Sequence, residues 1–161
     1  GWNEKDIFYV MGQVQNQQLN HLFYIHGKCY AADREIYQKI EKIVSEATQN
    51  ANLEFQRTNE LGRVNRVDPL GITTLRIRGM WIIKHPNRVF SYIYSPPKHG
   101  FGLVVLMLKE KYESYPEENR MRIINHNLIS VKEVQIDSPN NKANRLDAVL
   151  ITFQKEPPLD P

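Results

Sequence analysis

Four side chains that can carry covalent or metal chemistry lie close together in the sequence. They are His21, His26, Cys29 and Asp33. A nucleophilic cysteine needs a nearby base and a lowered pKa, and a structural zinc ion needs four protein ligands. His21, His26 and Cys29 are three potential zinc ligands within nine residues, but a fourth is not evident, and most single cysteines are small buried apolar groups. We therefore expect a structural role for Cys29 and predict no metal, no cofactor and no catalytic residue.

The charge of the chain is concentrated in one segment. Residues 57–99 hold eight bases and two acids, a net charge of +6, whereas the whole chain of 161 residues carries +3. Aromatic residues are interleaved with these bases, and such a segment attracts an anionic partner and stacks on it. The predicted contact residues for nucleic acid or another anionic partner are Arg63, Arg66, Arg76, Arg78, Arg88, Tyr92, Tyr94 and Phe101.

Two stretches resemble known families. The segment from His99 to Leu106, with the letters HGFGLVVL, resembles the RNP1 strand of RNA-recognition motifs. This resemblance implies that Phe101 stacks on bases, although Leu103 and Leu106 stand where that family has aromatic rings. Residues 103–154 are similar in pattern to the ferredoxin-like domains of alignment proteins in type IV pilus and type II secretion machines. The second resemblance implies a scaffold without catalytic residues.

Sequence motifs of several common enzyme classes are absent from the chain. It holds no P-loop, G-x-G-x-x-G, H-E-x-x-H or G-x-S-x-G. These absences favour a protein that is not an enzyme. No apolar run reaches the length of a membrane span, so we predict no transmembrane segment. The Gly1-Trp2 start and the Pro-rich residues 156–161 are typical of a domain cut from a longer protein.

The elements that would position these residues begin with a helical pattern in the first thirty residues. Asn3 is a suitable N-cap, and Ile7, Met11 and Val14 follow at helical spacing. Residues 21–26 either continue this helix or form a short strand, because the apolar run is too short for its periodicity to decide.

A second helix and then a set of strands follow along the chain. Apolar residues at helical spacing predict a helix over residues 33–50, with Asp33 as its N-cap. The period then changes to two, which predicts a short strand at 53–55, a long polar connection over 57–71 and a strand over 75–83.

The last third of the chain has the clearest pattern. Residues 89–95 fit either a strand or a short helix, and the apolar run 103–108 predicts a central strand buried on both faces. A capping box that begins at Ser114 predicts a helix over 115–127. An antiparallel hairpin is predicted from two final strands, at residues 131–136 and 146–153.

Together these elements predict an α+β fold, a two-layer sandwich of a mainly antiparallel sheet with helices on one face. A ferredoxin-like core is the first topology to consider and an NTF2-like cone the second. The predicted division is an N-terminal helical segment at 1–30, a core domain at 31–155 and an extended tail at 156–161.

The main functional prediction is a non-catalytic interaction or assembly domain of a larger protein. Its main partner would be another protein subunit, and a homo-oligomer is also compatible with the sequence. The first alternative is a nucleic-acid-binding domain that uses the basic, aromatic-rich segment 57–101. The second alternative is a small-molecule-binding or enzymatic α+β fold that uses Cys29 or His26.

Overall fold

The chain folds into two compact units. The computed structural model describes residues 6–30, 34–56, 61–78, 84–97, 99–139, 141 and 143–155. The first unit comprises residues 1–31 and 84–161, and the second comprises residues 32–83. The predicted division into residues 1–30, 31–155 and 156–161 stays a prediction, and the predicted tail at 156–161 lies outside the described residues. No described helix is long and apolar enough to cross a membrane.

The first unit is built on a five-stranded sheet. Three neighbouring pairs of its strands are antiparallel and one pair, Gln18–His26 with Phe101–Leu108, is parallel. The predicted α+β class with a mainly antiparallel sheet is confirmed. The strands in spatial order are β1 (Phe8–Gln15), β2 (Gln18–His26), β6 (Phe101–Leu108), β8 (Arg145–Lys155) and β7 (Ile129–Asp137). The helices of this unit are α2 (Pro86–Val89), α3 (Lys109–Glu113) and α4 (Glu117–Ile124).

Residues 8–26 form an antiparallel hairpin, so the predicted N-terminal helix is wrong. Asn16 and Gln17 join the two strands with φ values of 52° and 62°. Two consecutive residues with positive φ make a turn whose twist matches that of the flanking strands. Strand pairing then supplies the backbone hydrogen bonds, and the helical spacing around Met11 has no effect on the outcome. Of the two alternatives for residues 21–26, the strand is correct.

The central strand β6 buries apolar side chains on both faces of the sheet, as predicted from the run 103–108. It is paired on one side with β2 and on the other with β8. Because successive side chains of a strand point to opposite faces, the sheet holds one buried cluster on each face. One cluster comprises Phe23, Ile25, Cys29, Phe90, Val104, Leu106, Ile136, Ala148 and Leu150. The other comprises Met107, Tyr112, Val149 and Ile151.

The C-terminal hairpin of β7 and β8 is confirmed. Helix α4 lies within the predicted helix 115–127, but it begins at Glu117 after Pro116. The predicted capping box at Ser114 is wrong. That residue is the C-cap of α3, and its hydroxyl donates to the carbonyl oxygen of Lys111 at 2.6 Å.

Neither alternative for residues 89–95 describes them in full, because α2 ends at Val89. A single helical turn is followed by a turn structure, so the strand alternative is wrong. His85 is the N-cap of α2, and its Nδ1 accepts the backbone N–H of Asn87 at 3.3 Å. Pro86 fits the first helical position because its fixed φ is helical and its missing N–H would have no intrahelical partner there.

The second unit combines one long helix with a small antiparallel sheet. Helix α1 confirms the helix predicted over 33–50, and the chain turns away from it at Asn52, which has a φ of 59°. A left-handed residue of this kind commonly ends a helix. The elements are α1 (Arg34–Asn50) and a sheet in the order β3 (Glu54–Gln56), β4 (Gly62–Asn65) and β5 (Leu75–Ile77).

Strand β4 lies within the connection that was predicted over residues 57–71, so that prediction is wrong for Gly62–Asn65. The strand is short and has the polar side chains of Arg63 and Asn65 on one face, and its first residue is a glycine, which hides its alternation in the sequence. Pairing with β3 and β5 on both sides supplies its backbone hydrogen bonds and buries Val64 completely. The start of the strand predicted over 75–83 is present as β5, and residues 79–83 lie outside the described residues.

The buried cluster that contains Ile25 should carry a large part of the stability of the first unit. Ile25 is 1% exposed, and an isoleucine to alanine change in such a site costs about 3 kcal/mol. We expect Ile25→Ala to lower the free energy of unfolding by that amount in urea titrations. Val10→Ala, at a position 53% exposed on the same hairpin, should change it by less than about 0.5 kcal/mol. Equal effects of both changes would contradict the assignment of the core.

Candidate nucleic-acid interface

The hairpin of β4 and β5 brings predicted contact residues together. Arg63 and Arg76 are direct partners in the antiparallel register, so their side chains leave the sheet on the same face. Arg78 follows Arg76 by two residues and is exposed. Like charges at opposed positions repel each other. The hairpin therefore brings several arginines to one face, which we call its positive face.

Acidic residues only partly offset this positive charge. Residues 61–78 hold four arginines and a single acid, Asp68. The guanidinium Nε of Arg66 lies 3.9 Å from Oε2 of Glu54, and both side chains are largely exposed. A surface ion pair of this kind contributes little and is screened by salt. The hairpin thus keeps a net positive charge.

The other four predicted contact residues belong to the first unit and are Arg88, Tyr92, Tyr94 and Phe101. Arg88 is exposed in the last turn of α2, and Phe101 is half-buried at the start of β6. The Tyr92 hydroxyl accepts the backbone N–H of Asp137 at 2.9 Å. The Tyr94 ring meets Phe23 edge-on, with 6.2 Å between the ring centroids. Both tyrosines therefore make contacts within the first unit.

A row of polar side chains crosses one end of the first sheet. The register places Gln13, His21, Gly102 and Gln154 side by side on β1, β2, β6 and β8. Glycine is required in this row, because a Cβ at Gly102 would lie 2.6 Å from Cδ2 of His21. Beside the row is a cavity of about 390 Å³, which we call the polar cleft. It is lined by Gln13, Gln15, Asn20, His21, Pro96, Pro97 and Gly100.

The described lining of the polar cleft is polar and uncharged. His21 is buried, and its Nε2 has no hydrogen-bond partner among the described residues. Burial lowers the pKa of His21, and the nearby His85 lowers it further. The imidazole is therefore neutral at neutral pH. Oε1 of Gln13 accepts from Nδ2 of Asn87 at 2.9 Å, and Nδ2 of Asn20 donates to Oε1 of Gln15 at 3.2 Å. The cleft thus holds amide donors and acceptors that are partly engaged within the protein.

Sequence reasoning missed the polar cleft because its residues are far apart in the chain. The parallel pairing of β2 with β6 sets His21 beside Gly102, which is separated from it by the whole second unit. The local signal in the sequence is the pair Pro96 and Pro97 followed by Gly100, which indicates a turn and not a binding site.

The arrangement around Cys29 opposes its use as a nucleophile. Cys29 is 3% exposed, and burial raises the pKa of its thiol to about 12. Nucleophilic cysteines have lowered pKa values. His26 is fully buried, and its Nε2 lies 3.3 Å from Oδ1 of Asp6. Lys111 reaches the same carboxylate oxygen at 2.8 Å, and the two contacts lower the pKa of Asp6.

His26, the nearest candidate base in the sequence, thus lies against an ion pair. Together with the burial of Cys29, this supports the structural role predicted for that cysteine. Asp33 lies outside the described residues. Within the described part of the chain, no three His, Cys, Asp or Glu side chains come together as metal ligands.

Comparison with known proteins relates most of the chain to one family. The sequence model described as NgoPII restriction endonuclease matches residues 1–140. The chain is 39% identical over 155 residues to the type II restriction enzyme NgoPII of Neisseria gonorrhoeae. The alignment covers 94% of this chain and 56% of that relative, so the chain spans about half the relative's length. No solved structure matches the chain.

The burial of Cys29 predicts a thiol that does not react in the folded protein. With a pKa of about 12, almost none of it is thiolate near pH 8, and the thiolate is the reactive form. We expect a chromogenic disulfide reagent to label no cysteine in the native chain and one in guanidinium chloride. Rapid labelling of the native chain would contradict this burial.

Proposed function

Because the chain belongs to the NgoPII restriction endonuclease family, we propose that it binds double-stranded DNA and contributes to cleavage of that DNA. Its relative in Neisseria gonorrhoeae is a type II restriction enzyme. We assign phosphate contacts to the positive face of the β4–β5 hairpin. The remaining predicted contact residues, Arg88, Tyr92, Tyr94 and Phe101, stay candidates for further DNA contacts.

The family corrects the main functional prediction. A non-catalytic interaction or assembly domain is wrong, because restriction endonucleases are enzymes that cleave DNA. The prediction that the chain is not an enzyme is wrong for the same reason. So is the scaffold role that the resemblance to secretion proteins implied. The motif search failed because it tested for enzyme classes of other chemistry. The family supports nucleic acid as partner, which was the first alternative, and gives no support to a protein subunit as the main partner.

The observation that carries the proposal is the direct opposition of Arg63 and Arg76. A guanidinium group makes paired, charge-assisted hydrogen bonds to phosphate oxygens. Two such groups on one face of a hairpin fit a polyanion whose charges are closely spaced along its axis. The repulsion between the two arginines would be relieved when phosphates lie between them.

The polar cleft supports the same proposal through different chemistry. Amide side chains such as those of Gln13 and Asn20 pair with base edges and so read sequence. A neutral His21 can donate at one ring nitrogen and accept at the other. Phosphate contacts position a DNA-binding protein, whereas contacts of this kind specify the bases. We therefore assign base recognition to the polar cleft.

Replacement of hairpin arginines should weaken DNA binding and lower its salt dependence. Each phosphate contact contributes close to one counterion, so Arg76→Ala/Arg78→Ala should reduce the slope of log Kd against log salt by about two. Fluorescence anisotropy of a labelled duplex, titrated over a series of salt concentrations, measures both the affinity and the slope.

The matched control removes the same charge from another surface of the second unit. Lys39 and Lys42 are exposed on α1, and Lys39→Ala/Lys42→Ala should leave the slope unchanged. If both variants lower the affinity and the slope equally, the hairpin is not the contact surface. If the unaltered chain does not bind duplex DNA at low salt, the proposal fails.

Cleavage is tested separately from binding. Plasmid DNA incubated with the protein and Mg²⁺ should give discrete linear fragments on a gel, because a type II enzyme cuts at defined sites. Chain heat-denatured before the incubation is the control. An intact plasmid under conditions where the duplex is bound would show that this chain supplies DNA binding without sufficient catalytic machinery of its own.

A further inference from the structure

The connection between β4 and β5 presents two apolar side chains to solvent. Leu70 is 82% exposed and Ile72 is 80% exposed, the highest values among the large apolar side chains of the described residues. Isolated exposed apolar residues are common on proteins. Two of them at the tip of one hairpin, beside opposed arginines, form a feature that needs a partner. We call residues 66–74 the tip loop.

The tip loop is held in one shape by its own hydrogen bonds. The carboxylate of Asp68 accepts the backbone N–H of Leu70 at 3.1 Å and that of Thr73 at 2.5 Å. The bond from the backbone N–H of Thr73 is the main contact that lowers the pKa of Asp68, so the carboxylate stays ionised and keeps accepting hydrogen bonds. The backbone N–H of Gly71 donates to the carbonyl oxygen of Asp68 at 3.0 Å.

Positions in this turn have the residues that the turn requires. Pro69 and Gly71 follow Asp68 in the order typical of a tight turn, and Gly71 has a φ of 70°. Any other residue at position 71 would have to adopt this left-handed backbone conformation, and its β-carbon would lie 3.4 Å from Cγ of Arg66. The exposure of Leu70 therefore belongs to a fixed conformation, which reduces the entropy lost on binding.

The charges at the base of the tip loop select the kind of partner. Arg63 and Arg76 face each other on the strands that carry the loop, and Arg66 lies within it with an exposed side chain. An apolar tip between cationic strands matches proteins that insert a leucine or isoleucine between base pairs from the minor groove. In such proteins, cationic side chains hold the flanking phosphates.

We propose that the tip loop is a wedge that enters the minor groove of duplex DNA, where Leu70 and Ile72 unstack a base step and kink the duplex. This inference rests on the proposed function, because it assigns a deformation to DNA that the protein binds. It adds a shape-dependent term to recognition, since flexible base steps cost less to unstack than stiff ones.

The wedge is tested with Leu70→Ala/Ile72→Ala and a duplex that carries a donor and an acceptor dye at its two ends. Binding of the unaltered chain should bring the ends together, since wedge insertion kinks DNA by roughly 20–90°. The variant should lose this energy-transfer change and bind about tenfold more weakly, equivalent to about 1.4 kcal/mol. Its salt slope should be unchanged, because no phosphate contact is removed.

Two further variants separate the wedge from general loss of apolar surface or of folding. Val10→Ala/Val14→Ala removes two exposed apolar side chains from the β1–β2 hairpin, at 53% and 66% exposure, and should leave both affinity and energy transfer unchanged. Leu70→Phe keeps a large apolar tip and should keep the kink. Circular dichroism of each variant checks the fold.

The outcomes distinguish this inference from the proposed function. If the alanine variant binds and bends the duplex like the unaltered chain, the wedge is overturned and DNA binding stands. If the unaltered chain binds no duplex, both fail. If it binds vesicles of phosphatidylserine through Leu70 and Ile72, and its DNA binding does not depend on them, the tip loop is a membrane contact and the wedge is overturned.

Discussion

The parallel pairing of β2 with β6 is the constraint on which the rest of this structure depends. Neighbouring parallel strands run in the same direction, so the chain must travel from the end of one strand back to the start of the next. Here that connection runs from Gly27 to Gly100 and contains the entire second unit. The hairpin that carries the arginines therefore belongs to the long connection that the parallel strand pair of the first sheet requires.

The pairing also sorts apolar and polar residues along the sheet. Over most of its length, β6 contributes apolar side chains to a buried cluster on each face. At its start, Gly102 leaves room for the ring of His21. The strand positions level with it carry the polar side chains of Gln13, His21 and Gln154. A rigid sheet thus ends in a polar cleft, and groups that rigid elements hold in place can read a ligand more selectively than groups on mobile loops.

The arginines of the β4–β5 hairpin lie on paired strands and beside a loop that short-range hydrogen bonds close. The β4–β5 hairpin opposes two arginines across a strand pair, and the Asp68 carboxylate fixes the loop between them. This arrangement costs some stability through like-charge repulsion. Under the proposed function, bound phosphates would offset that cost.

The sequence by itself determined the elements whose pattern is long and regular. Helix α1, the central strand β6 and the hairpin of β7 and β8 were predicted because each has enough residues for its period to be unambiguous. The sequence also showed which segment carries the excess positive charge, since charge is a property of residue type and not of pairing. The family could not be found from the residues, because no motif of the common enzyme classes occurs in them.

Only the tertiary structure decided the elements whose stability comes from a partner strand. Residues 8–15 have helical spacing but become β1 because β2 supplies their hydrogen bonds, and Gly62–Asn65 become β4 because strands flank them on both sides. The same reason hid the polar cleft and the opposition of Arg63 with Arg76. Local propensity acts over a few residues, whereas strand pairing depends on segments that meet only when the whole chain has folded.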